Sequence, residues 1–231
     1  MTSKQKSDRN HIKNLTETER KYWDKIDHIL ENLFDDLKSQ SLIRTTFRRD
    51  EVENLLKIIE LSNKFFENYN TFTKLIESQE KTDKFMEMNN EFGFNGNNLP
   101  YVYLSEIVSN FTRNTELFKT MFLFILKKGT GFKDKMTLYP FLDKLSKTSK
   151  KYGEDMKNEV DVKLRNSFSH GLFWQDRTTI YYSEDISLKT IKKIQLGKLM
   201  LKTKNHNIIA QCLINKVAEK VRGGFFIKNK Y

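Results

Sequence analysis

Residues that break regular structure are few and bunched in this chain, and that constrains its fold more than anything else. Two prolines and nine glycines serve 231 residues, and most of the glycines cluster at 93–96, 129–131 and 223–224. The stretches between are rich in Lys, Glu, Leu, Ile, Asn and Phe. Because helix interiors tolerate neither Pro nor Gly well, the pattern predicts long, uninterrupted helices. The expected fold class is therefore all-α, or mainly helical.

Thr16 with Glu19 forms a capping box, and the helix it opens carries Tyr22, Ile26, Ile29, Leu30, Leu33, Phe34 and Leu37 on one stripe. A second helix is expected from Asp50 to about Ser78, with Val52, Leu55, Leu56, Ile59, Phe66, Tyr69, Phe72 and Ile76 at helical spacing and Phe65 at the margin. Asn89–Pro100 is the strongest loop signal, which sets the expected boundary. The division is then a disordered basic tail over 1–15, an N-terminal helical extension over 16–95, and a helical domain over 96–231.

Within that last section, helices are expected at Tyr101–Lys127, Leu138–Lys151 and Glu154–Ser169. After Gly171 the period changes, and Leu172–Trp174 and Thr178–Ser183 read as a short hairpin joined by Gln175, Asp176 and Arg177. Helices over Ser187–Leu201 and Asn207–Val221 complete the expectation.

The net charge of +11 is unevenly placed. Residues 186–231 hold ten lysines and one arginine against a single acid, Glu219, so nearly all the excess lies there. Such a section suits a polyanion, phosphate backbones first, although a solvated lysine-rich surface has the same composition. A lone cysteine, Cys212, sits in an apolar helical pattern and reads as a packed side chain that suits a reducing compartment. Met1–Lys13 is polar and basic, and the longest strongly apolar run, Met121–Leu126, is far short of a membrane span. A soluble, cytoplasmic protein without a membrane partner is expected. The sequence holds no zinc-type cysteine cluster, phosphate-binding glycine loop or nucleophile elbow.

Residues 165–170 read Arg-Asn-Ser-Phe-Ser-His, the one place where an arginine precedes a histidine by five residues. Arginine can clamp a phosphate, and histidine can move a proton near neutral pH. On a wheel of about 100° per residue with Val160 at zero, Met156, Val160, Leu164 and Phe168 fall between about −40° and +80°, the core side. Arg165 then lies at about 140°, Asn166 at about 240° and His170 at about 280°. Asn166 is one turn from His170 and can orient its imidazole. Arg165 is free to pair with Asp161 at i−4. His170 falls at the helix C-terminus, where Gly171 suits the left-handed cap position. Arg165 and His170 sit at opposite edges of the polar face, poorly placed within one helix to grip the same phosphate, and two copies of the helix about a two-fold axis can bring the arginines and histidines of both into one cleft.

An R-N-x-x-x-H motif ending a helix, followed by glycine, a short hairpin and further helices, resembles the HEPN superfamily over residues 100–222 or so. The resemblance implies a HEPN-like helical bundle forming a homodimer, with residues 16–95 as an extension. It implies a metal-independent endoribonuclease, without cofactor, acting on single-stranded RNA in phage defence or as a toxin with a possible antitoxin or regulatory protein. Some members of that superfamily only bind or scaffold. The implied catalytic residues are Arg165, Asn166 and His170. Some related toxins carry a modifiable tyrosine two residues after the histidine; here that position is Leu172, so such control is not expected. Lys189, Lys192, Lys193 and Lys198 are candidate contacts to the RNA backbone. Phe173, Trp174, Tyr181 and Tyr182 can either stack on bases or pack the hairpin against helices.

Overall fold

The computed structural model describes residues 15–77, 101–133, 135–176 and 178–223. The expected loop over Asn89–Pro100 and nearly all of the expected tail lie outside them. Among the described residues are seven helices: α1 (Glu17–Ser39), α2 (Arg49–Glu77), α3 (Tyr101–Ile125), α4 (Leu138–Thr148), α5 (Tyr152–Glu159), α6 (Val162–Ser169) and α7 (Leu196–Gly223). A three-stranded antiparallel meander, β1 (Phe173–Asp176), β2 (Thr179–Ser183) and β3 (Ile191–Gln195), lies between α6 and α7.

The capping box on α1 forms as its spacing predicts. Thr16 Oγ1 accepts from Glu19 N–H at 3.3 Å, while the Glu19 carboxylate accepts from Thr16 N–H at 2.8 Å. The buried stripe of α1 differs from expectation at one position. Trp23 faces the core, and its neighbour Tyr22 sits at the margin, where its hydroxyl donates to Glu159 at 2.7 Å. On α2, Val52, Leu55, Phe66 and Tyr69 are buried, but Leu56 is exposed, because the stripe is narrower than its apolar residues suggest. Phe72 and Ile76 lie outside the described side chains.

Two apolar cores result. The larger joins α1, α2 as far as Phe66, the second half of α3, α4, α5, the first residue of α6 and the later turns of α7. The smaller gathers Tyr69, Leu104, Ile107, Val108, Phe111, Leu164, Phe168, Ile180, Ile194 and Leu199 beneath the sheet. Helices α3 and α7 run through both, so they form the spine of the described structure. α1 contributes to the same core as α7, although nearly the whole chain separates them.

Two expected helices after the hairpin are replaced. Residues 191–195 form β3, and α7 is one continuous helix rather than two. Ile191 and Ile194 are three apart, which suits a helix face equally well. What decides is pairing. Ile194 lies opposite the fully buried Ile180 of β2, so the strand buries apolar surface that a helix here would not.

Helix α6 is bolted to β1 by a Schellman cap. Gly171 N–H donates to Phe168 O at 3.1 Å, and Leu172 N–H to Ser167 O at 2.9 Å. Gly171 takes a φ of +67° to do so, and an added Cβ would meet nothing within 4 Å. Gly171→Ala is therefore expected to cost only the left-handed strain, about 1 kcal/mol, read as a lower urea midpoint at unchanged slope. Phe111 meets the Phe168 ring edge-on at 5.7 Å and the His206 ring at 4.3 Å, coupling α3, α6 and α7. Phe111→Ala is expected to cost about 3–5 kcal/mol in the same experiment.

Candidate functional site at the end of the motif helix

The helix expected over Glu154–Ser169 is broken. α5 ends at Glu159, Val160 is extended, and Asp161 starts α6 afresh as its N-cap. A side chain that caps a new helix competes with the backbone that would continue the old one, and tertiary partners decide the contest here. Asp161 Oδ1 accepts from Leu164 N–H at 3.0 Å, and Oδ2 receives Lys202 Nζ of α7 at 2.9 Å. The Asp161 N–H reaches His206 Nε2 at 3.4 Å, while His206 Nδ1 lies 2.8 Å from Lys202 O. His206 is thus neutral with its proton on Nδ1, since Nε2 must accept. Burial pushes the Asp161 carboxyl up, but the Lys202 and Leu164 hydrogen bonds outweigh it and hold the group below its ordinary value.

A helical wheel running through Val160 therefore does not apply, but within α6 the spacing holds. Val162, Leu164, Ser167 and Phe168 are buried, Arg165 and Asn166 are half-buried, and Ser169 and His170 are exposed. Arg165 does not pair with Asp161. Its guanidinium forms an ion pair with Glu116 of α3, and its Nη1 donates to Asn166 Oδ1 at 3.1 Å. The Asn166 amide oxygen is thereby engaged by Arg165 rather than by the imidazole. Arg165 Nε is buried with no acceptor among the described residues. His170 caps α6, its backbone N–H donating to Asn166 O at 3.1 Å. The chain thus joins Arg165, Asn166 and Glu116, and leaves His170 apart at the exposed tip.

Several polar residues on the neighbouring α3 escaped the sequence reading. Along α3, the Asn110 amide donates to Glu106 Oε1 at 2.6 Å and the Arg113 guanidinium donates to Asn110. Arg113 also lies 3.8 Å over the Phe65 ring. One turn on, the Asn114 amide donates to Asn207 of α7 within the spine. The available signal was a run of polar residues at positions 106, 110, 113 and 114 inside a strongly apolar helix. Cys212 is buried, and burial pushes its thiol up, away from nucleophilic use.

The candidate RNA-binding lysines do not share one helix face. Lys189 lies in the β2–β3 loop and Lys198 in the first turn of α7, both exposed. Lys192 and Lys193 are consecutive in β3 and so project to opposite faces. Lys192 is half-buried and paired with Glu184, while Lys193 is exposed. The aromatics divide the same way. Phe173 and Tyr182 pack inward against the smaller core, and Trp174 and Tyr181 stack on the outer face.

No protein-family model, curated protein or solved structure matches the chain. Among the described residues, no group of three or more His, Cys, Asp or Glu is placed to hold a metal ion, and no helix is long and apolar enough to cross a membrane.

Burial pushes the His206 imidazole from its ordinary 6.5 down to about 4. The unfolded chain takes up a proton near pH 6.5 that the folded chain refuses until about pH 4. The stability tied to His206 is therefore present above pH 6.5 and lost as pH falls, by about 2 kcal/mol on reaching pH 5. Urea unfolding between pH 7 and 5 should show that slope in the wild type and lose most of it in His206→Gln.

Proposed function

We propose that the chain is a HEPN-type, metal-independent endoribonuclease that cleaves single-stranded RNA at a composite site shared by two copies. The observation that carries this reading is the local build of the motif. Arg165 is held half-buried, with its amide neighbour Asn166 against it, on a short capped helix whose exposed tip is His170. Arg165 and His170 emerge about 140° apart around α6, so one copy does not offer both to one phosphate, and a two-fold pairing of α6 helices does.

In that site the arginines neutralise the scissile phosphate and stabilise charge on its oxygens in the transition state. His170 assists proton transfer as the 2′-hydroxyl attacks or the 5′-oxygen leaves. RNA brings its own nucleophile, so DNA resists. The HEPN-like bundle, the phage-defence or toxin setting and an antitoxin or regulatory partner belong to the same proposal.

The Glu116 ion pair favours a second reading, a HEPN-like dimer that binds RNA or a protein without cleaving, because a paired arginine is poorer at receiving a phosphate. Cleavage of labelled single-stranded RNA in EDTA separates the two. The nuclease reading predicts products ending in a 2′,3′-cyclic phosphate, with rates reduced about 100-fold or more in His170→Ala and in Arg165→Ala. RNA binding without cleavage by a folded dimer selects the second reading, and equal cleavage by wild type and His170→Ala moves the chemistry elsewhere.

A further inference from the structure

We propose that the outer face of the three-stranded sheet is a stacking platform for unpaired nucleobases, with Trp174 and Tyr181 as its aromatic step and Lys193 beside them for the phosphate. The inference rests on the RNA reading above and specifies where the strand lies. Its basis is the register. Trp174 lies opposite Tyr181, and Tyr181 opposite Lys193, so the three project from one face of the sheet. The inner face carries Phe173, Ile180, Tyr182 and Ile194, which fill the smaller core.

On the outer face the two rings are nearly parallel, with centroids 5.4 Å apart and an interplanar angle of 9°. Trp174 is 41% exposed, and Ile191, next to Lys193 on that face, is 52% exposed. A stacked pair with an exposed indole can take a further flat ring on it, and every base has one.

Charge selects the occupant. Lys193 on this face, and Lys189 and Lys198 in the segments flanking β3, are exposed. Lys192, Lys202, Lys204 and Lys216 are taken up by ion pairs within the fold, whereas Lys189, Lys193 and Lys198 form none among the described residues, and a polyanion with aromatic bases satisfies both these lysines and the rings. Position agrees. Trp174 is four residues beyond His170, so their Cα atoms are at most about 14 Å apart. A base held on the platform thus lies close along the strand to a phosphate at the motif.

Trp174 also makes the test direct, because the one other tryptophan, Trp23, is buried in α1. The full chain is titrated with fluorescein-labelled 2′-O-methyl oligouridine, which cannot cleave itself, following indole emission on unlabelled strand and anisotropy on labelled strand. The platform predicts quenched emission in the wild type, no quenching in Trp174→Phe, and affinity about tenfold or more lower in Trp174→Ala and Tyr181→Ala. Inorganic polyphosphate, which has charge without bases, should leave the emission unchanged. RNA bound with unquenched emission, and with full affinity in folded Trp174→Ala, overturns the platform while leaving the RNA reading in place. No RNA binding at all overturns both. Self-association lost in Trp174→Ala, with RNA affinity unchanged, makes the face a protein contact and overturns the proposal.

Discussion

The break between α5 and α6 depends on a single carboxylate, and the placement of the motif depends on that break. Asp161 caps α6 through Leu164 N–H and is anchored to α7 by Lys202, while its own N–H meets the buried, neutral His206. A continuous helix through this region would carry Arg165 and His170 along a different axis. The kink sets α6 against the middle of α3, where Phe168 meets Phe111 and Arg165 meets Glu116. The hydrogen bonds compensate the burial of a charge and an imidazole, which would otherwise be costly.

From that junction the chain leaves α6 through a left-handed glycine directly into the sheet. The sheet is a thin layer with unlike faces. Its inner side closes the smaller core, and its outer side exposes aromatic rings beside lysine. The motif and the sheet are therefore one mechanical unit, joined by two backbone hydrogen bonds at Gly171 and Leu172 and by the Phe168–Phe173 contact at 5.2 Å.

The state of Arg165 bears most on chemistry. Its guanidinium is half-buried, engaged by Glu116 and Asn166, and still carries one N–H without an acceptor. Such a group is held in place with donor capacity to spare. His170, by contrast, has its backbone fixed by the cap and its side chain in solvent. Held arginine and exposed histidine on opposite edges of one short helix are the physical content of the shared-site proposal.

Helical content, the capping box at Thr16, the stripe of α1, the turn at Gly171 and a hairpin after it were legible in the sequence, because each is decided by residues within a few positions of one another. The motif residues were legible as types, and Trp174 and Tyr181 as aromatics of the hairpin, but not which of its faces they take. The helix break at Asp161 was not, because its partners Lys202 and His206 lie some forty residues later. β3 was hidden because Ile191 and Ile194 suit either period, and only the opposing Ile180 selects the strand. The Glu116 partner of Arg165 was equally out of reach, since spacing along a helix says nothing about what a neighbouring helix presents. Local stereochemistry and periodicity determined the elements; long-range pairing of buried polar groups and opposed apolar side chains decided where they bend, which face they show and what the arginine holds.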